Sequence, residues 1–248
     1  MIAIEDNPYA GFLDRLGSTL PRPRAIVCFS AHWEAPIQKF SQSARHSTLY
    51  DFGGFPPALY QVTYNAPGDP ELARSIEHAL EVANIASQGD SERGLDHGVW
   101  TILSRLFPAC NIPVVALSVN QHLAPQQQYD IGKALSFLRA ENVLVIGSGV
   151  TIHNFQYVAF DQEDAPTPHW ATEFNGWLTD RILTWNLDDL FLYDRLAPNV
   201  RMAIPARGRE HFVPLLYAMG TADNGRQAEV LHNSYQFGSL SNTVYRFS

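Results

Sequence analysis

Three short runs of consecutive apolar residues organise the chain: Ala25–Ser30 (AIVCFS), Pro113–Val119 (PVVALSV) and Asn142–Gly147 (NVLVIG). An unbroken Val/Ile/Leu/Ala run, rather than an alternating one, is the signature of a strand covered on both faces. Between these runs the apolar period changes to that of a helix. In Asp69–Ala83, Asp69 is placed to cap, Pro70 stands in the first turn, and Leu72, Ile76, Ala79, Leu80 and Ala83 share one face. Gly98–Phe107 follows and is stopped by Pro108. Ala124–Glu141 carries Tyr129, Ile131, Ala134, Leu135 and Leu138 on its apolar side, and His169–Trp185 carries Phe174, Leu178 and Ile182. Strands alternating with such helices predict βαβ units. The expected fold is α/β, a single three-layer domain with a mainly parallel or mixed central sheet and helices on both faces. The loop segments Asp51–Pro57 and Ala66–Pro70 are too short to be linkers, and no internal repeat divides the chain. Residues 1–248 therefore read as one domain.

Composition narrows the partners. Of 248 residues 46% are hydrophobic, enough to bury a sizeable core. The net charge of -8 comes with no Lys/Arg block, which argues against nucleic acid and against an anionic membrane surface. The start, MIAIEDNPYAGF, has no basic region followed by a long apolar one, and no apolar run approaches the ~20 residues of a membrane span. Cys28 and Cys110 are too few for a disulfide framework or a four-thiolate zinc site and are expected as buried free thiols. A cytoplasmic protein is expected. No heptad seam is present, so no oligomeric state is implied.

Of nine histidines, four stand out by position. His32 follows the first strand in SAHWE. His97, in GLDHGVW, opens a helix. His153, in GSGVTIHN, follows the third strand across a Gly-Ser-Gly turn. His211, in REHFVPLLYAMG, opens an apolar helical stretch. In α/β sheets, ligands gather beyond the carboxyl ends of the strands, so these segments can converge on one crevice. Neutral imidazoles with nearby carboxylates suit Zn, Fe(II), Cu or Ni rather than Mg or Ca. Spacing alone supplies neither an HExxH nor a CxxC signature, and each histidine by itself also reads as a hydrogen-bonded core or loop residue. Gly147–Gly149 lacks both phosphate-loop patterns and reads as a tight turn, and no GxSxG elbow marks a serine hydrolase. Asp96 and Glu210, the acids beside His97 and His211, are expected to be solvated.

Five phrases in register, PRPRAIVCFSAHWE, YDFGGFPPALYQVTYNAPGDPELA, GLDHGVWTIL, GSGVTIHNF and EHFVPLLYAMGTA, resemble the 4,5-DOPA extradiol dioxygenase family. That family belongs to the class III ring-cleaving enzymes similar to protocatechuate 4,5-dioxygenase, and the resemblance runs from about Ile4 to Ser241. It implies a non-haem Fe(II) site, often recovered with zinc instead, and cleavage of a small aromatic diol by O2 beside the hydroxyl pair. It implies that His32 and His211 ligate the metal. His153 is implied at the metal too, as a further ligand or as the acid/base of ring opening. His97 is implied as a histidine behind the ligands or in contact with substrate, and is the second choice, after His153, for the acid/base. Trp33, Phe52 and Phe55 are read as walls around the ring. The family begins with a short strand leading to Gly-His-Gly-Ser-Pro, whose histidine is a ligand, and the present sequence enters after that proline. A missing first strand and one missing ligand are therefore expected, by a start assigned too late or by truncation. Two other readings stand beside the dioxygenase: a truncated, inactive metal- or ligand-binding member of the fold, and a zinc-dependent hydrolase using metal-bound water.

Overall fold

The computed structural model describes residues 2–248; the expectation of a late start at Met1 lies outside the described residues. Helix α1 (Pro8–Thr19) is followed by strands β1 (Ala25–Glu34) and β2 (Gln38–Ser41), helix α2 (Pro70–Val82) and strand β3 (Ser87–Asp90). Then come α3 (His97–Leu106), β4 (Val114–Val119), α4 (Pro125–Ala134), β5 (Val143–Ser148) and α5 (His169–Leu183). A further helix spans Pro214–Gly220, and a two-stranded antiparallel sheet pairs Ala228–His232 with Val244–Phe247. The central sheet has the order β3-β2-β4-β1-β5. β1 runs parallel to β4 and β5, β2 parallel to β3, and only the β2–β4 pair is antiparallel. The expected mixed, mainly parallel sheet with helices packed on it is what forms.

The two faces of β1 sort by residue parity, as a pleated strand requires. Ala25, Val27 and Phe29 enter a core with Ile76 and Leu80 of α2, Phe174 and Leu178 of α5, and Leu216. Ile26 and Cys28 enter a second core with Val99, Trp100 and Leu103 of α3. Central strands buried on both sides explain the unbroken apolar runs.

Three expectations are corrected. The first strand is longer than Ala25–Ser30: it continues to Glu34 and so contains His32. The helix expected over Ala124–Glu141 ends at Ala134, and Ser136–Glu141 is a tighter 3-10 turn closed by Asn142 in the left-handed conformation (φ 55). Cys110 is only half-buried, although both thiols are free. Helix α1 was not foreseen from its pattern. Its signal was local: Asn7 accepts a hydrogen bond from the Ala10 amide at 2.8 Å, and Pro8 stands at the first position.

Among the described residues, β5 pairs with β1 alone. Its other edge borders a cavity of about 430 Å³ lined by Leu13, Leu16, Leu144, Ile146, Leu215 and His211. No helix among the described residues is long and apolar enough to cross a membrane.

Candidate metal centre

Each site histidine is delivered by a local break in regular structure. β1 stays in register with β5 only as far as Ser30↔Ser148, and its register against β4 slips between Phe29 and Glu34. The stretch holding His32 is thereby released from the ladder. His97 is the first residue of α3. His153 lies beyond β5, its amide donating to the Ala203 carbonyl at 3.1 Å. His211 sits in the turn before the helix Pro214–Gly220, and its carbonyl accepts the Val150 amide at 2.8 Å. That bond ties the loop carrying His153 to the turn carrying His211.

The four rings form a chain. Ring centroids are 3.7 Å apart for His97–His32, 4.8 Å for His32–His211 and 3.7 Å for His211–His153, the last pair stacked at 18°. Residues up to 179 positions apart thus meet at the carboxyl end of the parallel strands. Asp51, which sequence reasoning placed only in a loop, joins them. Its carboxylate accepts the His97 backbone amide and ring Nδ1, both at 2.9 Å, and lies 3.7 Å from His32 Nδ1. His32, Asp51 and His97 offer ligand atoms that all lie within 4.8 Å of one another. Asp51 is separated from His97 by 46 positions, and no local pattern announced the pairing.

The electrostatics favour bare nitrogen lone pairs. Burial pushes His153 down to about 4, with the His32 imidazole adding to the effect. Burial lowers His211 well below the usual histidine range, and His153, His32 and His97 push the same way. His32 is lowered by burial and by His97, against the opposing pull of Asp96 and Asp51. For Asp51, burial opposes ionisation, but the hydrogen bonds from His97 prevail and hold its carboxyl below the usual range. An ionised carboxylate only accepts, so the His97 Nδ1 facing it is protonated. Neutral imidazole is the form that binds a transition metal. Among the described residues, His211 Nδ1 is buried without a hydrogen-bond partner, a costly state that a bound ligand relieves. The donor set therefore fits a metal of the Fe(II) or Zn kind.

Aromatic side chains flank the cluster. Phe52 meets His97 edge-on at 5.4 Å, with Phe55 packed on Phe52 at 5.3 Å. On the other side Phe155 contacts His153 at 4.5 Å and Phe160 lies 5.3 Å from Phe155, both rings 59% exposed. Phe155 and Phe160 were missed in the sequence because isolated aromatics in a loop carry no period. Two expectations fail. Trp33 is no wall of the crevice: it is 5% exposed, buried in the α3-side core beneath the Arg93 guanidinium at 4.9 Å. Asp96 is not solvated, being 1% exposed.

An α/β sheet with neutral histidines and a carboxylate at its mouth defines a candidate mononuclear metal enzyme. Residues 9–248 match the family described as the catalytic LigB subunit of aromatic ring-opening dioxygenase, and the chain belongs to that family. It is an extradiol aromatic ring-opening dioxygenase, a class whose substrates are an aromatic diol and O2. The chain is 39% identical to the 4,5-DOPA dioxygenase extradiol of Beta vulgaris over 252 residues, covering 100% of this chain and 92% of the relative. It is 36% identical to the protein of that name in Escherichia coli strain K12, covering 97% and 88%. The crystal structure of protein JW3007 from Escherichia coli K12 superposes with a TM-score of 0.80 at 33% identity, covering 97% of this chain and 92% of that one.

Proposed function

We propose that this chain opens the ring of a catechol-type diol, DOPA or a close analogue, using Fe(II) and O2. The observation that carries this reading is the run of four contacting imidazoles ending at a buried, unpartnered His211 Nδ1. His32 and His211 would hold the ion, and Asp51, whose carboxylate lies 3.7 Å from His32 Nδ1, is a donor that would add to its shell. When bound, Fe(II) supplies open positions at which diol and O2 meet and exchange electron density.

The protein's own contribution is orientation and proton handling. Phe52 and Phe55 on one side and Phe155 and Phe160 on the other offer faces and edges to an aromatic ring, holding it over the histidines. His153, neutral at physiological pH, accepts a proton from a diol hydroxyl and returns it to an O2-derived oxygen as the O–O bond breaks and the ring opens. His97, its Nδ1 proton held by Asp51 and its ring against that of His32, would serve as the second acid/base. The support for DOPA over other catechols is the sequence similarity to proteins named for that substrate.

The test is anaerobic loading with Fe(II) followed by oxygen-electrode assays on DOPA, catechol and protocatechuate. DOPA is expected to consume one O2 per diol, with both atoms of isotopically labelled oxygen retained in the product. No uptake on any diol by iron-loaded protein would overturn the reading.

A further inference from the structure

We propose that Asp96 and Arg93 are positioning residues that set the separation of His32 and His97, an inference that rests on the metal-centre reading above. Asp96 stands at the cap of α3, where an aspartate ordinarily accepts an amide of the first turn, yet its side chain makes no capping bond. One carboxylate oxygen instead accepts from Ser30 Oγ at 2.6 Å, and the other accepts from Arg93 Nη2 at 3.1 Å. Ser30 Oγ in turn accepts the His32 amide at 3.2 Å. The same Arg93 Nη2 donates to the His32 carbonyl at 3.1 Å. His32 is thus gripped at both its amide and its carbonyl by groups anchored on the residue preceding His97.

The grip falls where β1 needs one. Past Ser30 the strand has lost β5 and slipped against β4, so the ladder no longer fixes the backbone around His32. Arg93 is itself constrained: its guanidinium lies over Trp33 and its backbone amide donates to Asp90 at 2.9 Å. Its Nε is buried without a partner among the described residues, a cost accepted in reaching the His32 carbonyl. Space is matched as tightly as bonding. A Cβ on Gly98 would stand 2.7 Å from Ser30 Oγ and 2.9 Å from His32 Cδ2, so only glycine lets the His32 ring lie against the start of α3.

The experiment compares the full chain with Asp96→Asn, which keeps the shape and removes the charge facing Arg93. Two readouts are taken on protein whose far-UV circular dichroism matches the parent. In the metal-free state, the imidazole ¹H–¹⁵N resonances of His32 and His97 should move while those of His169 and His232 stay. On titration with Co(II), the dissociation constant should rise about 10–100-fold and the visible absorption bands should change. Parent-like resonances for His32 and His97 in the folded variant would overturn the proposal, as would an unchanged Co(II) affinity and spectrum. If the parent itself binds no Co(II), the metal-centre reading falls and the imidazole resonances alone decide this one. If Asp96→Asn does not fold, Ser30→Ala, which deletes the hydroxyl linking the Asp96 carboxylate to the His32 amide, is read by the same two measurements.

Discussion

His153 and His211 stack face to face, and the difference between them defines the first prediction. His211 carries a buried nitrogen without a partner among the described residues; His153 leans on the exposed Phe155 at the mouth. A proton carrier needs access to substrate, whereas a ligand needs a fixed lone pair. His153→Ala is therefore expected to lower turnover by roughly 10²–10⁴ while bound iron, measured by atomic absorption, stays close to the parent. His32→Ala and His211→Ala should each strip the metal, and stoichiometric iron in either would refute their role. Asp51→Ala adds a discriminating case: loss of metal would make it a ligand, and retained metal with impaired turnover would make it the partner that orients His97.

Helix α4 and the helix Pro214–Gly220 lie in close contact, and Gly132 is what allows it. A Cβ there would sit 1.9 Å from the Tyr217 carbonyl oxygen, which the backbone can relieve only by moving the two helices apart. Gly132→Ala should cost roughly 1–3 kcal/mol, seen as a lower melting temperature. It should also loosen the turn that holds His211. Gly176, in the middle of α5, meets nothing within 4 Å of its added Cβ. Gly176→Ala should raise stability by about 0.5–1 kcal/mol. The apolar period through Leu138 was real, since Leu135 and Leu138 are fully buried, but the chain reaches those sites as a tighter turn. Periodicity reports which side chains are covered, and it is blind to a neighbouring carbonyl 1.9 Å from a missing methyl group.

At the scale of the molecule, two features set how it comes apart. Asp223 joins α4 to the turn after the helix Pro214–Gly220, accepting from Tyr129 at 2.7 Å, Lys133 at 2.8 Å and Arg226 at 2.8 Å. Burial works to raise its carboxyl, but the hydrogen bonds from Lys133, Tyr129 and Arg226 prevail and hold it below the usual range. A depressed folded pKa contributes stability above the unfolded value of about 3.9, lost as pH falls through the folded one. Asp223→Asn should cost roughly 2 kcal/mol near neutral pH in denaturant melts, and less once the parent carboxylate is protonated. The second feature is the edge of β5, unpaired among the described residues, which borders the cavity of about 430 Å³. Its outward amides should exchange hydrogen about tenfold or more faster than those of β1 and β4, which are paired on both sides.

The layers were legible in the amino-acid order: short unbroken apolar runs rich in Val and Ile suit strands covered on both faces, and the helices between them follow from their period and caps. It also singled out the four histidines, because each stands where a strand or loop gives way. What it could not specify is distance. The meeting of Asp51 with His97, the inward turn of Asp96 to Ser30 and Arg93, and the seat of Trp33 in the core accompany the slip of β1 past Ser30. Only packing of the whole sheet produces that slip, because the energy deciding it lies in contacts between segments dozens of residues apart, which no local pattern records.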